Sequence, residues 1–451
     1  MARTCILKWM QSALLLAAAA ALHGQMASEP ADTLARARIN ISATMRRLPR
    51  YACVQTIDRS YFTRVTPKDA AIPSCGQASA DTKKGDASLR LTVTDRLRLD
   101  VAQGDRGEIH SWPGASRFET GEIDELIGRG PAGTGSFGGY LVDIFDNQAT
   151  QFDFTGERDD AGRRIFAYAY RVAQEKSHYG IRTTDGWVIT AYHGTFEIDA
   201  ASLELLRMTI DAPELPKETG LCEAESALDY SRVRIGDGDF LLPRQSQLHL
   251  VNRGTIETNN ASVFTNCQEY RAESVVHYGD DAGISGAEAA NMKSQMDLPK
   301  GLPFSLRLSA EIDSDIAAAG DPVTATVTQP ARDPKSKEVL IPVGAVAHGR
   351  ISRMEHRILP APSFIIGIAW QSIEIGGVGS PLAANPAPRP VAPASSNHPL
   401  GLQARPMPVG PPDALFFPTG EKRYVIHAGS ESRWVTLTPL AVKNTATRGG
   451  N

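Results

Sequence analysis

The chain has 451 residues, 42% of them hydrophobic and 7% aromatic, which is enough apolar material for two or three cores. Its formal charge of −4 and pI near 6.2 exclude a broad electrostatic pull toward nucleic acid. Partners are therefore expected among small molecules, lipids and envelope proteins.

Arg3 and Lys8 precede an apolar run from Ala13 to Leu22, and small and polar residues follow in HGQMASEP. This is the layout of a secretory signal peptide over 1–27, cleaved after Ala27. The run falls short of the roughly 20 apolar residues that a spanning helix needs, and no later stretch is apolar enough for an anchor. The expected location is periplasmic or extracellular. Cys5 leaves with the leader, so the mature chain keeps Cys53, Cys75, Cys222 and Cys267, an even set in an oxidising compartment. Nearness in sequence favours Cys53 with Cys75 and Cys222 with Cys267. No CxxC or clustered histidine accompanies them, which points to structural bridges rather than a metal site or reactive thiol.

From Pro30 to Leu48 the residues Leu34, Ile41, Met45 and Leu48 recur at helical spacing, and Pro49 ends the pattern. The spacing predicts one amphipathic helix laid on a sheet. Period two then takes over. In SLRLTVTDRLRLDV the apolar positions Leu89, Leu91, Val93, Leu97, Leu99 and Val101 alternate with polar ones. Similar alternation returns at Phe166 to Val172, at Leu203 to Ile210 with a slip in phase, at Tyr230 to Ile235 and at Leu248 and Leu250. Turn-rich breaks such as DDAGR and IGDGD separate these runs. A long antiparallel sheet with one buried face is the economical reading.

Residues 281–300 are expected to form a linker, and a second set of alternating strands to fill 301–441, with a Pro-rich insertion over 381–412. A disordered tail is expected at 442–451. The second region has the runs Leu306 to Ile312, Val323 to Val327, Val339 to Val343 and Ile366 to Trp370.

Two resemblances rest on these residues. The helix to Leu48, then YACVQTIDRS, the strands to Val101, and LDYSRVRIGDGDFLLPRQSQLHL running into CQEYRAESVVHY resemble uncharacterised secreted bacterial proteins. Their architecture is similar to the periplasmic carriers of outer-membrane lipoproteins. That resemblance covers about 29–280 and implies a curved antiparallel half-barrel with a plugging helix and an apolar hollow for acyl chains. The second region, with AAAGDPVTATV, EVLIPVGAVAHGRI and YVIHAGSESRWVTL, is similar to the small β-barrels of type IV secretion channel proteins. The implied fold is mainly β: an α+β half-barrel domain over 29–280, then a small β-barrel or sandwich domain.

No residue is singled out as catalytic. GTGSFG, Gly133 to Gly138, matches a dinucleotide fingerprint in letters, but EIDELIGRGPA before it lacks the required strand, so no cofactor is expected. The histidines form no HxH or HExxH, so no metal site is expected, and no GxSxG occurs. Arg90, Arg96 and Arg98 alternate on the polar face of the predicted strand, where an anionic headgroup competes with plain solvation. The favoured function is a non-enzymatic envelope protein binding a lipid or other apolar ligand. Leu89, Leu91, Val93, Leu97, Leu99 and Val101 would line the cavity, and the helix carrying Leu34, Ile41, Met45 and Leu48 would plug it. The alternatives are a scaffold that docks on an envelope protein partner through the C-terminal β domain, and a secreted hydrolase.

Overall fold

The chain is described by a computed structural model over residues 29–269, 298–387 and 412–437, apart from 66–70, 72, 86–87, 105–106, 116–117, 119–122, 128–129 and 134–137. The expected signal peptide, most of the linker, the tail and the core of the Gly-rich motif lie outside the described residues.

Helix α1 covers 29–47, and its stripe turns inward: Ala37 and Ile41 are buried, while Leu34, Met45 and Leu48 are partly buried. The chain continues through β1 (Tyr51–Arg64), α2 (Cys75–Lys84), β2 (Leu89–Gly104), β3 (Gly107–Ser111) and α3 (Ile123–Ile127). A single helical turn, α4 (Gly139–Leu141), runs straight into a π turn over Val142–Asp146. Then follow β4 (Gln151–Asp160), β5 (Arg163–Val172), the hairpin of β6 (Gly180–Thr183) and β7 (Gly186–Ile189), β8 (Tyr192–Asp199), β9 (Leu205–Ala212), β10 (Leu221–Ile235), β11 (Gly238–Asn252) and β12 (Ile256–Glu269).

All ladders among these strands are antiparallel, in the order β4-β5-β8-β9-β10-β11-β12-β1-β2-β3, with β6 and β7 paired separately. The result is a large curved sheet that is not closed into a barrel. One face packs its alternating side chains against α1, α4 and the π turn, with Phe145, Phe166, Tyr168, Phe196, Met208 and Leu228 buried together. Tyr168 donates its hydroxyl to the Pro30 carbonyl at 2.8 Å, and Arg38 donates to the Phe145 carbonyl at 2.9 and 3.1 Å. These bonds fix where α1 lies on the sheet.

The first strand sits between the second and the last of this set, and that order corrects the disulfide expectation. Cys53 bonds Cys267 across the β1–β12 ladder, and Cys75 bonds Cys222, tying the start of α2 to the start of β10. Pairing by nearness in sequence fails because sheet order places positions 214 residues apart side by side.

The C-terminal strands are β13 (Pro303–Leu308), β14 (Ile312–Asp313), β15 (Pro322–Gln329), β16 (Ala331–Arg332), β17 (Val339–Ile341), β18 (Val346–Arg357), β19 (Ser363–Ile375), β20 (Val378–Pro381), β21 (Ala384–Pro386), β22 (Ala414–Pro418), β23 (Val425–Ile426) and β24 (Glu431–Thr436). They curl round a second core that includes Phe304, Ile341, Ile366, Trp370 and the fully buried Trp434. The Pro-rich segment is strand at its beginning: β20 pairs with β19 and β21 with β24, so Pro381 and Ala384–Pro386 are held in ladders rather than solvated as a loop. Residues 388–411 lie outside the described residues.

The two sets of strands meet at β2. Residues 93–95 pair with 355–357 of β18, and Leu97 bridges Ala319. Gly320, at φ 111°, fits there because a Cβ would stand 2.2 Å from the Arg98 carbonyl. Arg96 bonds Asp58 and the Asp315 carbonyl, and Arg98 bonds Asp321 and the Ile316 carbonyl. The polar face of β2 is thus spent on the seam, which corrects the choice between solvation and a headgroup for Arg96 and Arg98; Arg90 is exposed.

Candidate functional site: a hollow beneath the leading helix

The C-terminal half of α1 does not seal onto the sheet. Between it and β9, β10 and β11 lies a hollow of about 400 Å³. Ile41 and Met45 form its roof, and Leu141, Leu203, Leu205, Phe240 and Leu241 form its walls. Alternation explains the set: Leu205 and Leu241 project from the inner face, and Leu203 enters from the turn between β8 and β9. At the mouth stand Asn40, Thr44, Arg47, Glu204, Arg232 and Asp239. Arg232 is tied to Glu204 through two nitrogens and reaches Asp239 at 3.4 Å. A volume of this size, lined by apolar side chains together with several polar ones, suits a small molecule or a single acyl chain.

Two other polar clusters are already occupied by their own charges. On the outer face, oxygens of Asp211, Glu223 and Glu225 approach one another closely enough to hold a cation, and the Lys83 ammonium stands among them at 4.0, 2.5 and 3.5 Å. Beside them His249 lies 3.7 Å from Glu225 and 3.3 Å from Glu257, and these carboxylates raise its pKa to about 9 against the opposing effect of burial. At the seam, a cleft of about 250 Å³ is lined by Arg59, Asp95, Glu355 and His356 among others. Arg59 grips Asp95 through two bonds of 2.6 and 2.7 Å, and Glu355 accepts from Arg353 and Arg357. Burial raises the pKa of Asp95, with Arg59 opposing that rise.

The expected cavity residues lie elsewhere. Leu97 and Leu99 pack with Ile57 and Ala319, and Trp112 and α3 cover them. Val101 packs with Tyr51, Cys53, Ile235, Leu242 and Phe264. Leu89, Leu91 and Val93 are half-buried at the start of β2. The protein's own side chains therefore fill the space along Leu97 to Val101. Of the four helix residues, Ile41 and Met45 touch the hollow, while Leu34 and Leu48 pack against neighbouring cores. Sequence reasoning missed Leu203, Arg232, Asp239 and Leu241. The strands carrying them were legible, but their alternation is broken by a slip and a turn, and β2 alternates more cleanly.

No family model matches the chain, and no curated protein matches it. Two solved structures are similar over about half of it. One, from Vibrio parahaemolyticus, is a domain named for outer membrane lipoprotein sorting: 12% identity, TM-score 0.23, covering 50% of this chain and 87% of that one. The other is a DUF1329 family protein from Desulfovibrio piger ATCC 29098: 10% identity, TM-score 0.24, covering 54% of this chain and 95% of that one. Neither is a type IV secretion protein, and at these scores neither similarity decides what this chain does.

Proposed function

We propose that this chain is an exported, non-enzymatic envelope protein that holds an apolar chain in the hollow beneath α1. The observation that carries the reading is the hollow itself, walled in large part by leucine, isoleucine, methionine and phenylalanine, with charged and polar side chains also lining it. Burying an apolar tail there gains about 25 cal/mol for each Å² removed from water, which is a binding force without any chemistry. Two disulfides fit an oxidising compartment outside the cytoplasm.

The test is an organic extract of gently purified protein, read by mass spectrometry, together with titration of a fluorescent fatty-acid probe. Co-purifying lipid and saturable probe binding are expected. Met45→Trp, which fills the roof of the hollow, should weaken probe binding at least about tenfold with an unchanged circular-dichroism spectrum. Clean extracts and no saturable binding would overturn the reading.

A further inference from the structure

We infer that Gly138 sets the room in the hollow: the side chain it lacks leaves a seat for the Met45 methyl, which keeps the roof raised, and the turn it opens brings Leu141 to the wall. The inference deepens the reading of the hollow as an apolar-chain site and rests on it. Gly138 is the buried last residue of GTGSFG. Its backbone stands at φ 122° and ψ −17°, a conformation open to glycine and strained for any residue with a Cβ. A Cβ placed on it would lie 2.5 Å from Met45 Cε and 3.9 Å from Met45 Sδ, and among the described residues no other atom beyond its chain neighbours lies within 4 Å. Carbons in contact keep about 3.5–4.0 Å apart, so Met45 alone would have to move.

The direction of that movement follows from what is fixed. The Gly138 carbonyl accepts from the Val142 N–H at 3.1 Å, which starts α4, and Ile144 and Phe145 of the π turn beyond it are buried in the core. Tyr168 and Arg38 hold α1 in place through the Pro30 and Phe145 carbonyls. Both backbones are anchored, whereas a methionine side chain turns about three bonds. The open space beside Met45 is the hollow that it roofs. A side chain at position 138 therefore drives the thioether into the ligand space. Gly138 is a positioning residue, since it does not line the hollow and acts through Met45. Backbone strain would also favour glycine here, but strain does not depend on which residue stands at position 45.

The experiment titrates the fluorescent fatty-acid probe into the full chain as wild type, Gly138→Ala, Met45→Ala and the double variant, with thermal melts recorded on each. Gly138→Ala should weaken probe binding about tenfold when Met45 is present, the scale of a modest overpacking, and less than about twofold in the Met45→Ala background. Strain alone would weaken binding equally in both backgrounds. That result, or no weakening in either, overturns the role of Gly138 while leaving the apolar-chain reading standing. Should Gly138→Ala fail to fold, the wild type labelled with ¹³C-methyl methionine supplies the answer. The Met45 methyl, assigned by its loss in Met45→Ala, should show a nuclear Overhauser contact to the Gly138 α-protons and should shift when the probe is added. Absence of the contact, or a methyl indifferent to the probe, overturns the inference. A wild-type chain that binds no probe overturns the apolar-chain reading and the inference with it.

Discussion

Leu203 is held at φ 62°, a conformation that a residue with a Cβ adopts at a cost of about 1–3 kcal/mol. Asp199 holds it there: its carboxylate accepts from the N–H groups of Ala201 and Ser202 at 2.9 Å, and its carbonyl accepts from Leu203 at 2.9 Å. The strained turn delivers a leucine side chain to the wall of the hollow. Leu203→Gly should change the unfolding free energy by less than about 1 kcal/mol, because relief of the backbone offsets the lost burial. Probe dissociation should quicken severalfold in stopped-flow measurements. A loss of several kcal/mol would instead make Leu203 an ordinary core residue. No sequence pattern marks this site, since leucine carries no conformational signal for a left-handed turn in the way that glycine or asparagine does.

Among the elements, α2 is only weakly anchored by apolar packing: of its ten residues only Ala78 is buried. Tethers hold it instead. They are the Cys75–Cys222 bond, Lys83 on Glu223, and Arg64, which donates to the Ala78 carbonyl and the Thr82 hydroxyl and pairs with Glu257. The absence of an apolar stripe is why no sequence periodicity announces this helix, whereas the stripe of α1 does. The His249 ring belongs to the same charged layer, with Lys83 and Asp211 beside its partner Glu225. Since His249 titrates at about 9 when folded and near 6.5 when unfolded, its contribution is full below about pH 6.5 and disappears as pH rises to about 9. Chemical denaturation across that window should show falling stability, and His249→Gln should flatten the fall. An unchanged slope in the variant would remove His249 from the account. Glu225, pulled down to about 2 chiefly by His249, acts oppositely: its contribution is full above its ordinary range and disappears as pH falls to about 2.

At the scale of the molecule, one ladder system joins two separate cores. The joint between β2 and β18 is only three residue pairs long, supported by the Leu97–Ala319 bridge and the arginines of β2. Two cooperative units are therefore expected. Trp434→Ala, deep in the C-terminal core, should cost that unit about 3–5 kcal/mol and lower one calorimetric transition. The other transition, and probe binding under α1, should hold. A single transition shifted as a whole would mean that the seam couples both cores into one unit.

The sequence by itself determined what local geometry controls. Alternation from Leu89 to Val101 makes a strand with one inward face, and the spacing of Leu34, Ile41, Met45 and Leu48 makes a helix with one inward stripe, because side-chain direction follows directly from backbone period. Only the tertiary structure decided which inward residues meet one another and which meet a void. Insertion of β1 between β2 and β12 sets the partner of Cys53, packing by α3 and Ala319 fills the space beside Leu97 and Leu99, and the seat of α1 leaves the hollow over β9 to β11. Those outcomes depend on strand order and on contacts between residues far apart in the chain, which a repeating pattern of two or 3.6 residues does not encode.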